Sequence, residues 1–368
     1  MEKDIDIIIY GATGFTGKLC VKYFQSLNTT VTWAMAGRNL IKLQKVADDH
    51  QAKVEILLAD SDDESALDNL TSRSRVILST TGPFHRYGSK LVESCIKNHA
   101  HYVDITGENF WVKGLIEKHH AEASAKGIRI IPSCGFDSIP SDLGAFFSAQ
   151  AIGKPIKRIE SFHSYKGGAS GGTLETMFSM GELDLGDDLT NPFLLNPEDS
   201  YSDEQMQLSS DRVGIAKKSE INAWSGPFIM ATANTRVVRR TEALLALRQE
   251  SYGPDFTYQE HAFHKSWWSA AKSLILTGLS VLILLSPLKR LVKPFLPKPG
   301  EGPSETVQEN GWFDCKFIVE ANDGTKSVFN MNGKGDPGYK VTSKLVSECA
   351  LCLIEDQDTL PGGGEYGG

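Results

Sequence analysis

The feature of this chain that most constrains its fold is an apolar run followed by three evenly spaced glycines. Residues 5–10 (IDIIIY) are typical of a buried strand, and a helical pattern begins at residue 15. Gly11, Gly14 and Gly17 occupy the junction and the start of that helix. Glycine lets the backbone adopt positive φ, and the free N–H groups of a helix N-terminus attract phosphate. The segment therefore predicts a strand–turn–helix unit that binds a phosphate-bearing ligand.

The glycine spacing is a GxxGxxG variant of the dinucleotide-binding fingerprint. Gly17 has no Cβ, and we expect this to let the helix pack close to the strand, because a Cβ would hold the two apart. A tight turn without any ligand is the alternative interpretation. The predicted cofactor contacts in this turn are Gly11, Ala12, Thr13, Gly14, Phe15, Thr16 and Gly17.

The end of the second strand-like run, 31–36, favours one cofactor over another. In folds that prefer NAD(H), an acidic residue about 20 positions beyond the glycines bonds the ribose 2′-hydroxyl. Here Gly37, Arg38 and Asn39 take that place, and there is no carboxylate. A guanidinium matches a 2′-phosphate in bidentate geometry. We therefore predict NADP(H), with Arg38 and Asn39 among its contacts; an Arg38 that simply starts the next helix in solvent is the alternative.

Strand and helix patterns alternate over the first 150 residues, which predicts the α/β fold class with a Rossmann-type doubly wound parallel sheet. Ligands of such sheets bind beyond the carboxyl ends of the strands. The chain places polar or small residues at two of those ends: Asp60, Thr80, Thr81, Gly82 and Pro83. We predict that Asp60 accepts from the adenine amino group, or else caps a helix. The residues of 80–83 are expected to face the pyrophosphate or the nicotinamide ribose.

The hydrophobic period changes after residue 150, and three domains follow from it. We predict an NADP-binding domain over 1–150 and a mixed α+β substrate and dimerisation domain over 151–332. A C-terminal helix that packs back on the first domain, with a tail, is expected over 333–368. The runs that alternate as strands in the second domain are 157–165, 226–240 and 311–321.

One segment of the second domain, 273–288, has no charged residue. Two tryptophans precede it and three cations follow closely. A membrane-spanning helix needs about 20 apolar residues, and this segment has 16. Aromatic residues at one end and cations at the other are typical of a helix that lies at a bilayer surface. A buried subunit interface of a homodimer and a true span are the alternatives.

Composition and charge argue against several function classes. The 368 residues carry a net charge of −8, and no basic patch lies beside stacking aromatics, so nucleic-acid binding is not expected. The chain enters a strand within five residues, which predicts no signal peptide. Six scattered cysteines indicate a reducing, cytoplasmic compartment. Cys349 and Cys352 have CxxC spacing, but they lie in a helical pattern without further ligands, so we expect core thiols and no metal site.

Nine sequence blocks occur in a fixed order: GATGFTG, AGRN, STTGPF, YVDITGE, CGFDSIPSDLGA, SGGT, NTRVVRR, KPGEGPS and GDPGY. In these blocks the chain resembles the saccharopine dehydrogenase-like oxidoreductases, most closely the branch of the trans-acting enoyl reductases. The resemblance implies a Rossmann domain, an inserted α/β substrate domain and a reduced nicotinamide cofactor. Bacterial relatives act as enoyl reductases in trans with polyketide synthases, and animal relatives are linked to membranes or lipid droplets. The family usually continues past a glycine pair with an apolar helix, whereas this sequence stops at 360–368, which suggests either a shortened member or a missing terminal element.

Three residues are candidates for the proton donor that accompanies hydride transfer. None of the ten tyrosines has a lysine four residues later, which excludes the Tyr-Lys pair of short-chain dehydrogenases. The candidates near the expected nicotinamide are Tyr87, Glu108 and Asp137. Their structural alternatives are core packing, a helix start and a turn, respectively. Residues 170–173 start a second glycine-rich helix and are expected to hold a thioester carbonyl or a carboxylate.

The leading hypothesis is an NADPH-dependent reductase of a conjugated C=C bond in a lipid or polyketide acyl substrate. The first alternative is a saccharopine dehydrogenase-like oxidoreductase that acts on an imine or amino acid. That reaction would need arginines to bind carboxylates, and Arg236, Arg239 and Arg240 lie together. On the strand expected there, only Arg236 and Arg240 would share a face, and solvent could surround both. The second alternative is a membrane-associated scaffold that binds NADP(H) without turnover.

Overall fold

Two β-sheets organise the computed structural model, which describes residues 3–286, 289–298 and 300–360. The strands of the first sheet are β1 (Ile5–Tyr10), β2 (Trp33–Gly37), β3 (Ile56–Leu58), β4 (Ser74–Ser79), β5 (His101–Asp104) and β6 (Ile130–Ile131). Their order is β3-β2-β1-β4-β5-β6, and all of their pairings are parallel. This is the doubly wound Rossmann order, as predicted.

Helices cover both faces of the first sheet. The helices of the chain are α1 (Phe15–Ser26), α2 (Leu40–His50), α3 (Glu64–Arg73), α4 (Phe84–Tyr87), α5 (Ser89–Lys97), α6 (Asn109–Ala125), α7 (Ile139–Ile152), α8 (Gly171–Met180), α9 (Asp203–Leu208), α10 (Ala231–Leu247), α11 (Trp267–Leu285), α12 (Lys289–Val292), α13 (Glu305–Glu309) and α14 (Thr342–Glu355). Side chains of α3, α5 and α6 pack on one face, and side chains of α1, α2 and α14 pack on the other. The last helix of the described chain thus contributes to the core of the first sheet.

The second sheet is mixed, and it belongs to the α+β part of the fold that the sequence predicted. Its strands are β7 (Ile156–Lys166), β8 (Ala216–Lys218), β9 (Ala223–Gly226), β10 (Thr257–His264), β11 (Trp312–Ala321) and β12 (Lys326–Lys334). The order is β12-β11-β7-β10-β9-β8, in which β7 and β10 run parallel and the other pairs antiparallel. Helix α7 packs closely on this sheet because Gly144 leaves room for the ring of Phe317. The alternating runs at 157–165 and 311–321 are strands, as predicted.

The alternating run at 226–240 is not one strand, and that prediction is wrong. Its first residue ends β9, and the segment from Ala231 belongs to α10, which continues to Leu247. The prediction failed because both faces of this helix are buried, so polar and apolar side chains do not segregate with a helical period. Arg236 and Arg239 are among the largest fully buried side chains, which also rules out the expected solvated position of Arg236.

The apolar segment at 273–288 forms most of α11, which begins at Trp267 with Ser266 as its N-terminal cap. Residues 287 and 288 of that segment lie outside the described residues. Ala270 packs against β9, whereas Ile275, Leu276, Leu279 and Leu282 are each about half exposed or more. No helix in the described ranges has both the length and the hydropathy of a membrane span.

Candidate active site

A cavity of about 480 Å³ lies at the carboxyl ends of the first sheet. One wall comes from the turn after β1 and from the ends of β2, β4 and β5. The opposite wall comes from α8, the segment that follows it, and the first turn of α10. In doubly wound sheets the crevice between β1 and β4 is the position where the strand order reverses and ligands bind. The cavity therefore lies where this fold binds a dinucleotide.

The glycine turn has the geometry of a phosphate cradle. Gly11 has a φ of +86°, and a Cβ on it would come within 2.3 Å of the Thr81 hydroxyl. A Cβ on Gly17 would lie 2.3 Å from the Gly11 carbonyl oxygen, so the absence of a side chain permits the close approach of α1, as predicted. No side chain caps α1 at Gly14, and its first turn has no acidic residue. The N-terminal amides of α1 are left for an anion, so the residues present fit a dinucleotide pyrophosphate.

Arg38 lies at the end of β2 and lines the same cavity. Its side chain is exposed, and the guanidinium makes no hydrogen bond or ion pair with any residue in the described ranges. The absence of a carboxylate at this position leaves the cation available to an added negative charge. The geometry agrees with recognition of a 2′-phosphate.

The residues after β4 form the next part of the wall. Thr80 donates from its backbone N–H to the Tyr10 carbonyl, at 2.9 Å, and this bond places its side chain beside the glycine turn. Thr81 and Gly82 also line the cavity. The buried Thr81 hydroxyl has no hydrogen-bond partner in the described part of the chain, which suits a contact with a ligand.

Twelve of the predicted site residues line this cavity together: Gly11, Thr13, Gly14, Phe15, Thr16, Arg38, Thr80, Thr81, Gly82, Tyr87, Glu108 and Asp137. Five others do not: Ala12, Gly17, Asn39, Asp60 and Pro83. Asn39 caps α2 through a bond from the Lys42 amide, and Asp60 accepts the backbone N–H of Asp62 in a turn. Ser61, which the sequence did not single out, lines the cavity in place of Asp60.

The three proton-donor candidates have different surroundings. Glu108 is fully buried and accepts the backbone N–H groups of Phe84 and His85, at 2.8 and 2.9 Å, as well as a contact from the His85 ring. These bonds hold the Glu108 carboxyl group against the start of α4, and its catalytic role stays a prediction. Tyr87 ends α4, and its ring lines the cavity.

Asp137, the third candidate, also lines the cavity. It lies in the turn before α7, and its carboxyl is accessible from the cavity. The residue is exposed at the surface, but the surrounding protein partly desolvates its carboxyl, and that desolvation raises its pKa to about 6. A carboxylic acid with this pKa holds a useful fraction of its protons near neutral pH.

The start of α8 meets the first domain through a tyrosine that the sequence reasoning missed. Ser170 caps α8, and its backbone N–H donates to the Tyr339 hydroxyl. The Thr173 hydroxyl lies 2.8 Å from the same oxygen, and the Tyr339 ring packs edge-on against Phe15 at 5.1 Å. The GDPGY block, which ends in Tyr339, could have pointed to this residue, but it indicated only the family resemblance. Tyr339 links the two walls of the cavity.

One part of the cavity wall is formed by apolar side chains. Three of the seven methionines of the chain line it: Met177, Met180 and Met230. Leu185, Leu189, Leu194 and Ile229 add branched aliphatic surface. Methionine is unbranched and fills irregular spaces, so this wall can adapt to an aliphatic chain.

The three clustered arginines hold protein carbonyls. Arg236 pairs with Asp211 at 2.6 Å and donates to the Asn191 carbonyl. Arg239 donates to the carbonyls of Pro192, Ser209 and Tyr258, and Arg240 donates to the Leu195 carbonyl. Their donors are directed at the chain between residues 189 and 211, and this arrangement secures that long connection. Within the described residues, no group of three His, Cys, Asp or Glu side chains is arranged to hold a metal ion.

Comparisons with known proteins agree with the fold and the cavity. Residues 7–131 match the family described as the saccharopine dehydrogenase NADP binding domain. A Mycobacterium tuberculosis protein provisionally named trans-acting enoyl reductase is 34% identical over 97% of this chain and 90% of its own length. The trans-acting enoyl reductase of Mycobacterium leprae is 31% identical over 98% of this chain and 91% of its own.

A solved structure shows the same overall fold. The apo saccharopine dehydrogenase (L-Glu forming) of Saccharomyces cerevisiae superposes with a TM-score of 0.56 at 14% identity, over 99% of this chain and 94% of that one. The fold, the cavity and these matches define an NADP-dependent oxidoreductase. The chain belongs to the saccharopine dehydrogenase-like oxidoreductase family, together with the trans-acting enoyl reductases.

Proposed function

We propose that this protein is an NADPH-dependent reductase of a conjugated C=C bond in a lipid or polyketide acyl substrate. The observation that carries the proposal is the methionine-rich apolar end of the cavity, which adjoins the glycine turn and Asp137 in a single space. An aliphatic chain fits such a wall, whereas a zwitterionic amino acid would need charged partners there. The relatives named enoyl reductase support the same reaction class.

We assign a separate role in this reaction to each of the three parts of the chain. The first domain, 1–150, binds the cofactor through the glycine turn, Arg38 and residues 80–82. The second domain, 151–332, supplies the acyl wall. The C-terminal part, 333–368, connects the first and second domains through Tyr339. Its residues 361–368 lie outside the described ranges. When bound, NADPH supplies the hydride that adds to the β-carbon of the double bond.

We propose Asp137 as the source of the proton that adds to the α-carbon and completes the saturated product. Its carboxyl is accessible from the cavity, and its raised pKa, about 6, favours the protonated form relative to an ordinary aspartate. Glu108 acts as a positioning residue: it anchors the start of α4, so the neighbouring wall at 80–82 keeps its place. Tyr87 shapes the wall beside that segment.

The arrangement of the arginines weighs against the amino-acid alternative. A saccharopine-like substrate carries several carboxylates, but the donors of Arg236 and Arg239 are used by Asp211 and by backbone carbonyls. The cation in the cavity wall that remains without an ion pair in the described ranges is Arg38, at the end where the adenosine is expected.

Oxidation of NADPH with defined acceptors tests the proposed reaction. The protein is mixed with NADPH and either a 2-enoyl thioester or a 2-oxo acid with an amine, and loss of absorbance at 340 nm is followed. We expect turnover with the enoyl thioester alone. Turnover only with the oxo acid and amine would establish the imine reaction, and no turnover with either, despite NADPH binding, would establish the scaffold.

We further propose that the enzyme works in the cytoplasm against a membrane surface, which α11 contacts. The cationic segment, residues 261–300, holds six lysines and arginines and no acidic residue, in a chain whose net charge is −8. Trp268 is 78% exposed at one end of α11, and Leu282 is largely exposed near the other. Exposed apolar side chains flanked by tryptophan and cations suit the interface of an anionic bilayer.

Vesicle co-sedimentation tests the surface proposal. An Ile275→Glu, Leu282→Glu variant should lose at least tenfold in binding to phosphatidylglycerol vesicles. Ile41→Glu is the matched control, because Ile41 is 82% exposed on α2, away from the segment. If the double variant instead converts a dimer to a monomer and leaves vesicle binding unchanged, α11 is a homodimer interface and the surface proposal is wrong.

A further inference from the structure

Helix α8 lines the cavity and also contacts Lys293 of the cationic segment, whose Gly300 is itself part of the cavity lining. Its inner side places Thr173, Thr176, Met177 and Met180 in the cavity wall. Glu175 and, just beyond the helix, Glu182 do not line the cavity. We refer to α8 together with residues 181–189 as the cover, since this stretch forms the apolar wall.

Two ion pairs join the cover to the cationic segment. The Lys293 ammonium lies 3.1 Å from a Glu175 carboxylate oxygen, and the Lys289 ammonium lies 3.2 Å from Glu182. Lys293 also sits over the ring of Phe178, 5.8 Å from its centroid. The backbone adds one bond, from the Gly171 N–H to the Glu301 carbonyl at 3.0 Å. The cover is thus held from outside by side chains of 289–293.

Two further pairs join the cover to the first domain. Glu182 also faces Arg86 of α4, with 3.7 Å between the charged atoms, and Asp188 pairs with Lys113 of α6 at 3.0 Å. Glu182 therefore stands between a cation of the first domain and a cation next to the proposed membrane surface. Glu182 and Asp188 thus connect the cover to α4 and α6.

The pairs on the outer side are weak enough to be displaced. Each pair has one partner that is more than half exposed, Lys293 or Glu182, whereas Glu175 and Lys289 are 30% and 20% exposed. Water screens the exposed partner, and this limits what each pair contributes to stability. Leu291 and Phe295, which flank Lys293 in the chain, are largely exposed, Phe295 to 88%. Insertion of these apolar side chains among lipid would bring the lysines to the level of the phosphate groups.

We propose that an anionic bilayer surface opens the cavity, because its phosphate groups draw Lys289 and Lys293 away from Glu182 and Glu175 and so release the cover. An acyl chain then enters the methionine-lined end directly from the lipid layer. This inference rests on the acyl substrate and the surface contact proposed above. It adds a coupling between that surface and access to the site.

Hydrogen–deuterium exchange of the full-length protein tests the coupling without substrate or cofactor. Amides of 171–189 should exchange about tenfold faster with phosphatidylglycerol vesicles than with phosphatidylcholine vesicles at equal ionic strength. A Glu175→Gln, Glu182→Gln variant should show the fast exchange in solution and gain nothing further from either vesicle. Glu93→Gln serves as the control, since Glu93 pairs with Lys118 on the first domain, away from the cover.

Two outcomes would overturn the proposal. One is tight binding to anionic vesicles with unchanged exchange in 171–189. The other is a double glutamine variant that exchanges like the wild type and still responds to vesicles. Both readouts are independent of turnover, so a failure of the enoyl reductase assignment would appear in the NADPH assay and leave this measurement interpretable.

Discussion

Arg38 is the side chain that decides between the two nicotinamide cofactors in this account. Replacing it by glutamine removes the charge but keeps a polar group of similar reach. Because a charge-assisted contact contributes about 1.5–3 kcal/mol, NADPH affinity should fall roughly 10- to 100-fold while NADH affinity stays within about twofold. Isothermal titration measures both. Lys42→Gln, on the exposed first turn of α2, is the control; an equal loss for both cofactors would contradict the 2′-phosphate role.

Asp137 should impose a pH dependence on turnover. A general acid donates only when protonated, and partial desolvation of this carboxyl, which belongs to an exposed residue, raises its pKa to about 6. The rate should therefore be constant below about pH 6 and fall tenfold for each pH unit above it. Asp137→Asn should lower the rate about 10²- to 10⁴-fold and abolish that limb. A variant that retains the same falling limb would show that another group donates the proton.

At the scale of single elements, the close packing of α1 against the turn after β1 depends on the absence of a Cβ at Gly17. Gly17→Ala would place a methyl group 2.3 Å from the Gly11 carbonyl oxygen. The helix must shift, which should cost about 1–3 kcal/mol of unfolding free energy and disrupt NADPH binding. Chemical denaturation and titration measure the two effects.

The matched control for that substitution is Gly114→Ala in α6. A Cβ on Gly114 meets no atom within 4 Å, and the residue is exposed in a helix interior. Alanine there should raise the free energy of unfolding by about 0.5–1 kcal/mol. Destabilisation of both variants to a similar degree would mean that α1 has no special requirement at position 17.

Helix α10 holds the connection 189–211 through its buried arginines. Arg239→Leu would leave the carbonyls of Pro192, Ser209 and Tyr258 without these donors. Because each buried unsatisfied group costs about 1–3 kcal/mol, the free energy of unfolding should drop by about 3 kcal/mol or more. Arg212→Leu, at an exposed position, should change it by less than about 0.5 kcal/mol. A drop of similar size in both would contradict the anchoring role.

Sequence periodicity predicted the elements of the first domain better than those of the second. The first helix was predicted to begin at residue 15, and it lies at Phe15–Ser26, because the glycine turn fixes where it starts. Helix α10 was mistaken for a strand, since it is buried on several sides and carries arginines that bond backbone carbonyls. The bonds of Arg236 to Asn191 and of Arg239 to Pro192 join residues more than 40 positions apart, and no local pattern reports them.

At the scale of the whole molecule, the site is made by two domains, and only one of them could be assigned from motifs. The glycine turn, Arg38 and residues 80–82 follow the dinucleotide pattern, so their convergence was predictable. Met177, Met230 and Tyr339 come from three distant segments that meet only in the folded chain. The contacts of Glu108 have the same origin, because its partners on α4 lie 23 and 24 residues away.

The most direct test of the account is to follow the hydride itself. The protein is incubated with a 2-enoyl thioester and with NADPH that carries deuterium at C4. One preparation of NADPH is labelled at one of the two C4 hydrogen positions, and a second preparation is labelled at the other. Mass spectrometry of the product should find one deuterium at the β-carbon from one preparation and none from the other. Reduced product without deuterium from either, or NADPH that binds and returns unchanged, would contradict the assignment of this chain as an enoyl reductase.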